Sequence, residues 1–276
     1  MTRIRLTQRR KMLNAARTIA ESRVADALLP VFHRQRKRLE RFLRRANLRK
    51  RMNKIETQII WDYDEGISQD EIRSQIGLGK AHQLMKDEMG QDDWNKWKAA
   101  LVAALIAALV AEIPIIGDIE NGVWMSRGYP PIVFIPQDII DEVGIRAGIN
   151  LGDMADATMA GVEKEIVEWY LGNEPFAGLM NRLDKWFNRT RAEVIAQMQM
   201  GEAITQVILH SMLTHNWSGW YWDAMGENPC SGPTIVLQGV MYDGCRALHG
   251  QKFSVGTPMP PSAAHPRCHC LPTPEM

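Results

Sequence analysis

Cys245-Arg-Ala-Leu-His-Gly250 and His265-Pro-Arg-Cys-His-Cys270 are the stretches that decide how this chain is read. With Cys230 they hold all four cysteines of the 276 residues, Cys230, Cys245, Cys268 and Cys270. The segment around them is rich in glycine and proline and follows a long region that reads as helix. Four thiols gathered there are spaced to meet in space. They predict a small module, braced by its cysteines, at the end of a helical protein.

Working back from the cysteines, Trp217, Trp220 and Trp222 crowd together and predict a packing floor for that module. Thr234-Ile-Val-Leu-Gln and Val240-Met-Tyr, with Gly239 between them, predict a β-hairpin, and Lys252-Phe-Ser-Val a further short strand. Before His215 the chain predicts helices over Thr190–Leu213, from Pro175 to about Phe187, over Asp153–Leu171 and over Asp138–Ala147. The stretch Pro114–Pro136 holds Gly117, Gly122, Gly128 and the Pro130-Pro131 pair. It predicts a loop with one short strand at Ile132–Ile135. Asp92 and Asp93 stand where the positive end of a helix favours carboxylates, and Ser68 to Glu71 spells a capping box. The expected fold is mainly α: a long N-terminal helical arm and helical body with a small, cysteine-rich α+β module at the C-terminus. The expected regions are a basic arm (1–54), a helical middle with a Gly/Pro loop (55–152) and the end domain (153–276).

Charge is divided along the chain. Met1 to Lys54 carries 18 Lys and Arg against 3 Asp and Glu, a net of +15; the remainder carries 15 against 29, a net of −14. From Leu6 to Leu29 there is no Gly or Pro, which favours helix. Pro30 predicts a kink or break, and the helix resumes with Phe32, Leu39, Phe42, Leu43 and Leu48 as its apolar positions. The densest cations are Arg34, Arg36, Lys37, Arg38, Arg41, Arg44, Arg45, Arg49, Lys50 and Arg51. Such a segment is either a solvated helical arm or one that lies on nucleic acid or an acidic protein surface. The opening residues lack a continuous apolar core, so no secretory signal is expected and synthesis in the cytoplasm follows. The run Ala99–Ala111 is 13 residues long before Glu112 and Pro114, short of the ~20 of a spanning helix. It predicts a buried helix, with no membrane partner.

The thiols admit three readings: a structural zinc site, disulfides formed after release from the cell, or packing in a small core. Zinc suits thiolate and imidazole donors, and a small β module gains folding energy from a metal. The candidate ligands are Cys230, Cys245, Cys268 and Cys270, with His265 or His249 as substitutes. An enzyme would draw a Cys/His dyad from Cys245 with His265 or His249, as in a metal-dependent hydrolase or nuclease. No phosphate-binding loop, dinucleotide fingerprint or zinc-protease motif is present, and no catalytic residue is assigned. His33, His82 and His210 fall on predicted helices without a partner pattern.

The region from Asp153 to Cys270 resembles the phage Mu-F-like minor capsid proteins, also called phage head morphogenesis proteins. Arg191-Ala-Glu-Val-Ile-Ala196 matches that family's helical segment, and Trp220 or Trp222 stands for its tryptophan. Cys245-Arg-Ala-Leu-His-Gly250 matches the second half of the cysteine segment. His265-Pro-Arg-Cys-His-Cys270 matches the closing motif, with the proline run Pro258–Pro261 before it. Met198-Gln199 replaces the usual Thr-Glu, and Ser231–Gly244 separates the first cysteine pair. The resemblance implies a non-enzymatic virion component in the head interior or at the portal vertex. Its implied partners are the portal protein, the capsid interior and packaged double-stranded DNA.

Overall fold

The computed structural model describes residues 6–45, 79, 81–83, 85, 91–132, 136–223, 234–237, 240–254, 257 and 270–275. The capping box at Ser68–Glu71 and the strand residues beyond Ile132 lie outside them. In chain order the elements are α1 (Leu6–Arg45), α2 (Gln91–Met125), α3 (Pro136–Leu171), α4 (Phe176–Asp184) and α5 (Arg189–Thr214). Then follow β1 (Gly219–Asp223), β2 (Thr234–Leu237), β3 (Val240–Asp243), α6 (Gly244–Leu248), β4 (Lys252–Ser254) and β5 (Leu271–Glu275). The fold is mainly α with a small α+β module at the C-terminus.

Neither Pro30, expected as a kink or break, nor Pro114 ends its helix. α1 runs unbroken through Pro30, and α2 runs through Pro114 to Met125, where a loop was expected. Both prolines are exposed, so each removes its backbone bond on the side that water can reach. On the opposite side Leu109, Ile113 and Ile116 of α2 are buried, and packing of that face holds the helix across the proline. Likewise one helix, α3, replaces the two expected over 138–147 and 153–171. Extended in this way, α2 is long and apolar enough to cross a membrane by length and composition. One face is built into the protein through Leu101, Leu105 and Leu109; Val110 and Ile115 are exposed.

The chain divides into two compact units. The first comprises 1–27, 104–147 and 192–276; the second comprises 28–103 and 148–191. The boundaries fall within α1, α2, α3 and α5, so neither unit is one continuous stretch.

In the first unit Leu13, Ala20 and Val24 of α1 are buried, three and four residues apart around the buried Arg17. This is the stripe of an amphipathic helix with a cation inside it. From Gly201 to Ile208 every residue of α5 is buried. The polar ones are satisfied locally: Thr205 donates to the Gly201 carbonyl at 3.0 Å and the Gln206 amide to Glu202 at 2.9 Å. α2 ends in a reciprocal cap. The Tyr129 amide donates to the Trp124 carbonyl at 3.1 Å and the Gly128 amide to Met125 at 3.0 Å, with Gly128 at φ 92°. Such a left-handed position favours glycine. Asn216, at φ 54°, closes α5 by the same pattern of bonds to Leu213 and Met212. Asn121 then clasps the returning chain, accepting from the Ile132 amide at 2.8 Å and donating to its carbonyl at 2.9 Å.

In the second unit Leu28, Val31, Phe32, Leu39 and Leu43 line the buried side of α1. Phe32 meets Phe187 edge-on at 6.5 Å, and Trp97 meets the same ring at 6.4 Å. α3 passes Trp186 so closely at Gly161 that a Cβ there would fall 2.1 Å from the indole.

The end module contains the expected hairpin: β2 pairs antiparallel with β3, Val236 opposite Met241. β4 lies where a strand was expected. The sheet it joins has the order β4-β1-β5, all antiparallel, and two of its strands were not anticipated. β1 is the tryptophan cluster itself. β5 is Leu271-Pro-Thr-Pro-Glu275, whose prolines are tolerated because the strand is an edge.

Candidate metal centre and cationic helix face

β1 is the spine of the C-terminal module. Trp220 and Trp222 are fully buried, and Trp220 stacks on Phe253 of β4 with ring centroids 4.5 Å apart. They do form the packing floor that the sequence suggests, as the central strand of a sheet. α6 follows β3 directly, with Gly244 at φ 71° making the turn. It leads to His249, which bridges Trp222. The Gly250 amide donates to the Trp222 carbonyl at 2.9 Å and the Trp222 amide to Gln251 at 3.3 Å. β5 begins pairing at the same end of β1, with Leu271 opposite Asp223. Cys245 sits on α6, directly after β3, and Cys270 immediately precedes β5. Both are fully buried.

Cys230, Cys268 and His265 lie outside the described residues; Cys245, Cys270 and the substitute His249 are placed. Among the described residues no group of three or more Cys, His, Asp or Glu is arranged to hold a metal. His249, the substitute ligand, has an exposed side chain, with Nδ1 3.9 Å from Asp223 Oδ1. Asp223 is in turn 3.3 Å from Arg10 Nη1. The donor chemistry of the two placed thiols fits zinc.

The matched helical segment proves to be packing. Ala192, Ile195 and Ala196 are buried. The Asn188 side chain accepts from the Arg191 amide at 3.0 Å, which caps α5. Arg191 lies over the Trp186 ring at 5.6 Å and donates to Thr158 Oγ1 at 3.2 Å. Burial pushes its guanidinium below the ordinary arginine value.

The cations of α1 have two fates. In the first unit Arg9, Arg10, Arg17 and Arg23 turn to carboxylates of the same chain. Arg9 is buried against Glu120 at 2.7 Å, and the Trp124 indole N–H donates to the other oxygen of Glu120 at 2.7 Å. Arg17 pairs with Glu21 at 2.6 Å and donates to the Gln197 carbonyl at 3.2 Å. Arg23 reaches Glu112 at 3.2 Å. Part of the charge split is thus satisfied internally: the basic segment's acidic partner is in part this chain's own α2.

In the second unit the expected run of ten divides. Arg36 pairs with Asp184 at 2.8 Å and Arg38 pairs with Asp93. Arg44 pairs with Glu40 at 2.8 Å and lies over the Phe176 ring at 4.6 Å. Arg34, Lys37, Arg41 and Arg45 are exposed, and among the described residues none of them is paired with a carboxylate. Arg49, Lys50 and Arg51 lie outside the described residues.

Sequence reasoning missed two sites. His82 Nδ1 lies 2.8 Å from Glu163 Oε1, a pairing 81 residues apart that no local pattern signals. Burial raises the Glu163 carboxyl, opposed by the His82 contact. Arg182 gathers Glu174 at 2.5 Å, Glu168 at 3.0 Å and Glu165 at 3.5 Å. Its hydrogen bond holds the Glu174 carboxyl below the usual range. Both read as fastenings between elements of the second unit.

No protein-family model, curated protein or solved structure matches the chain.

Proposed function

We propose that this chain is a structural minor capsid protein of a tailed phage. In this reading the C-terminal region docks at the portal vertex or inner head surface during head assembly or genome ejection, and the basic helix meets packaged DNA or a second portal surface. The observation that carries the reading is the order of its motifs: Arg191–Ala196, the β1 tryptophans, Cys245–Gly250 and His265–Cys270. Support comes from where the described parts of that order lie. Arg191–Ala196 is a capped and packed helix start, the tryptophans are the centre of a sheet, and Cys245 and Cys270 are buried.

Zinc, where bound, would be held by Cys230, Cys245, Cys268 and Cys270, with His265 as a substitute, and would act as a structural brace closed to substrate. The protein's own part is to bury Cys245 and Cys270. The reading is tested by mass spectrometry and imaging of purified heads. The chain is expected in few copies per particle, at the portal vertex. Heads that assemble without it, or a chain spread evenly over the shell, would overturn the reading. Zinc analysis of the purified chain is expected to give one tightly held ion that is lost in Cys245→Ser.

A further inference from the structure

We infer that the outward face of α1 between Arg34 and Arg45 binds the phosphate backbone of duplex DNA without reading its bases. The inference deepens the reading above by choosing between the two partners it leaves for the basic helix, and it rests on that reading for the source of the DNA.

The geometry of the face comes first. An α-helix advances about 100° and 1.5 Å per residue. Arg34, Lys37, Arg41 and Arg45 therefore fall within an arc of about 80° and form a row about 16 Å long. Leu39 and Leu43 are buried on the other side of the helix. The three cations not counted in the row, Arg36, Arg38 and Arg44, are the ones engaged with Asp184, Asp93 and Glu40. The run is thus divided into cations paired with carboxylates, of which Arg38 and Arg44 are also exposed, and cations with no carboxylate partner among the described residues.

The composition of the face then selects the partner. Every exposed residue from 33 to 45 is Arg, Lys or His33. Protein interfaces are anchored by apolar and aromatic side chains surrounded by a polar rim, and this face offers no such anchor. Phe32 is buried and Phe42 half-buried, so no aromatic ring stands out to stack an unpaired base, as single-strand binding requires. No Asn or Gln is exposed on it, so the amides that read adenine in the major groove are missing. What remains is a regular row of charges, which suits a regular row of phosphates and carries no sequence information.

The test uses the full chain and a fluorescent duplex of about 30 base pairs, titrated over a series of salt concentrations; neutralising four phosphates gives a log–log salt slope of about −3.6. The R34Q/K37Q/R41Q/R45Q chain is expected to lose at least about tenfold in affinity at low salt and to show a shallower slope. Conversion of the three arginines to lysine is expected to keep the affinity. A scrambled duplex should bind as well as the first, and a single strand more weakly. Should the fourfold variant fail to fold, the single change Arg41→Glu gives the same readout.

Unchanged affinity and slope in a folded variant would overturn the inference, as would tighter binding to the single strand or loss of binding in the lysine variant. The two readings fail separately. A chain present at the portal vertex with an unaltered duplex titration removes only this inference. A chain absent from heads but with the expected salt slope removes only the virion reading.

Discussion

The two halves of α1 both carry cations and differ in how many of them find a carboxylate. From Arg9 to Arg23 the guanidiniums face Glu120, Glu21 and Glu112, and two of them are fully buried. From Arg34 to Arg45 four cations face water without a carboxylate partner among the described residues. The difference lies in what the rest of each unit supplies. α2 brings Glu112 and Glu120 inside the first unit. In the second, Asp93 and Asp184 take only Arg38 and Arg36. Net charge over a segment therefore says little about an external partner until the internal pairs are taken away.

The largest expected effect comes from breaking an inward pair. Glu120→Ala leaves Arg9 buried without its carboxylate and the Trp124 indole without its acceptor. Stranding one member of a buried pair costs about 3–5 kcal/mol, to be read from the urea unfolding midpoint. Replacing both partners, Arg9→Met with Glu120→Leu, should recover much of that loss. If the double change were as damaging as the single one, the stranded charge would not be the cause.

Next in size is a change confined to the second unit. Gly161→Ala drives a methyl into the Trp186 ring, an overpacking expected to cost about 1–3 kcal/mol. Calorimetry of this variant beside Glu120→Ala would show whether the two units melt together or apart. Trp186→Phe should relieve part of the Gly161→Ala penalty if the contact is the one described.

A pH effect follows from His215. Its ring packs against Tyr129 at 5.0 Å and Trp217 at 4.9 Å, and burial lowers its pKa from the ordinary 6.5. The unfolded chain therefore takes up the proton at higher pH than the fold does. Stability is intact above about pH 6.5 and declines as pH falls from there toward the lowered folded value. His215→Asn should flatten that decline, and an unchanged profile would contradict it. Glu163 acts with opposite sign: its raised carboxyl adds stability as pH falls through its folded value, so the difference between wild type and His215→Asn is the quantity to read.

How much of this was legible follows from which signals are local. α5 and the β2–β3 hairpin were readable because periodicity, β-branched residues and a turn glycine sit within a few positions of each other. That neither Pro30, read as a kink or break, nor Pro114, read as opening a loop, ends its helix was not visible, because the effect of a proline depends on which side of the helix faces water, and that is decided by distant packing. β1 was hidden by tryptophans that read equally well as core, and β5 by prolines that only an edge position permits. Of the candidate ligands, Cys245 and Cys270 are described and buried, and the pairing of β1 with β4 and β5 in the module that carries them was not visible. The division of the cation run could not be seen at all, because Asp93 and Asp184 lie 55 and 148 residues away from their partners Arg38 and Arg36 in sequence.

The contrast between the halves of α1 is tested most directly by urea unfolding of the fourfold outward variant, R34Q/K37Q/R41Q/R45Q, beside Glu120→Ala. Exposed changes of this kind are worth at most about 0.5 kcal/mol each in either direction. The outward variant should therefore unfold close to the wild-type midpoint, while the single inward change moves it far down. A fourfold variant as unstable as Glu120→Ala, or a Glu120→Ala chain as stable as wild type, would contradict the division of the helix into cations that hold the fold and cations that face water.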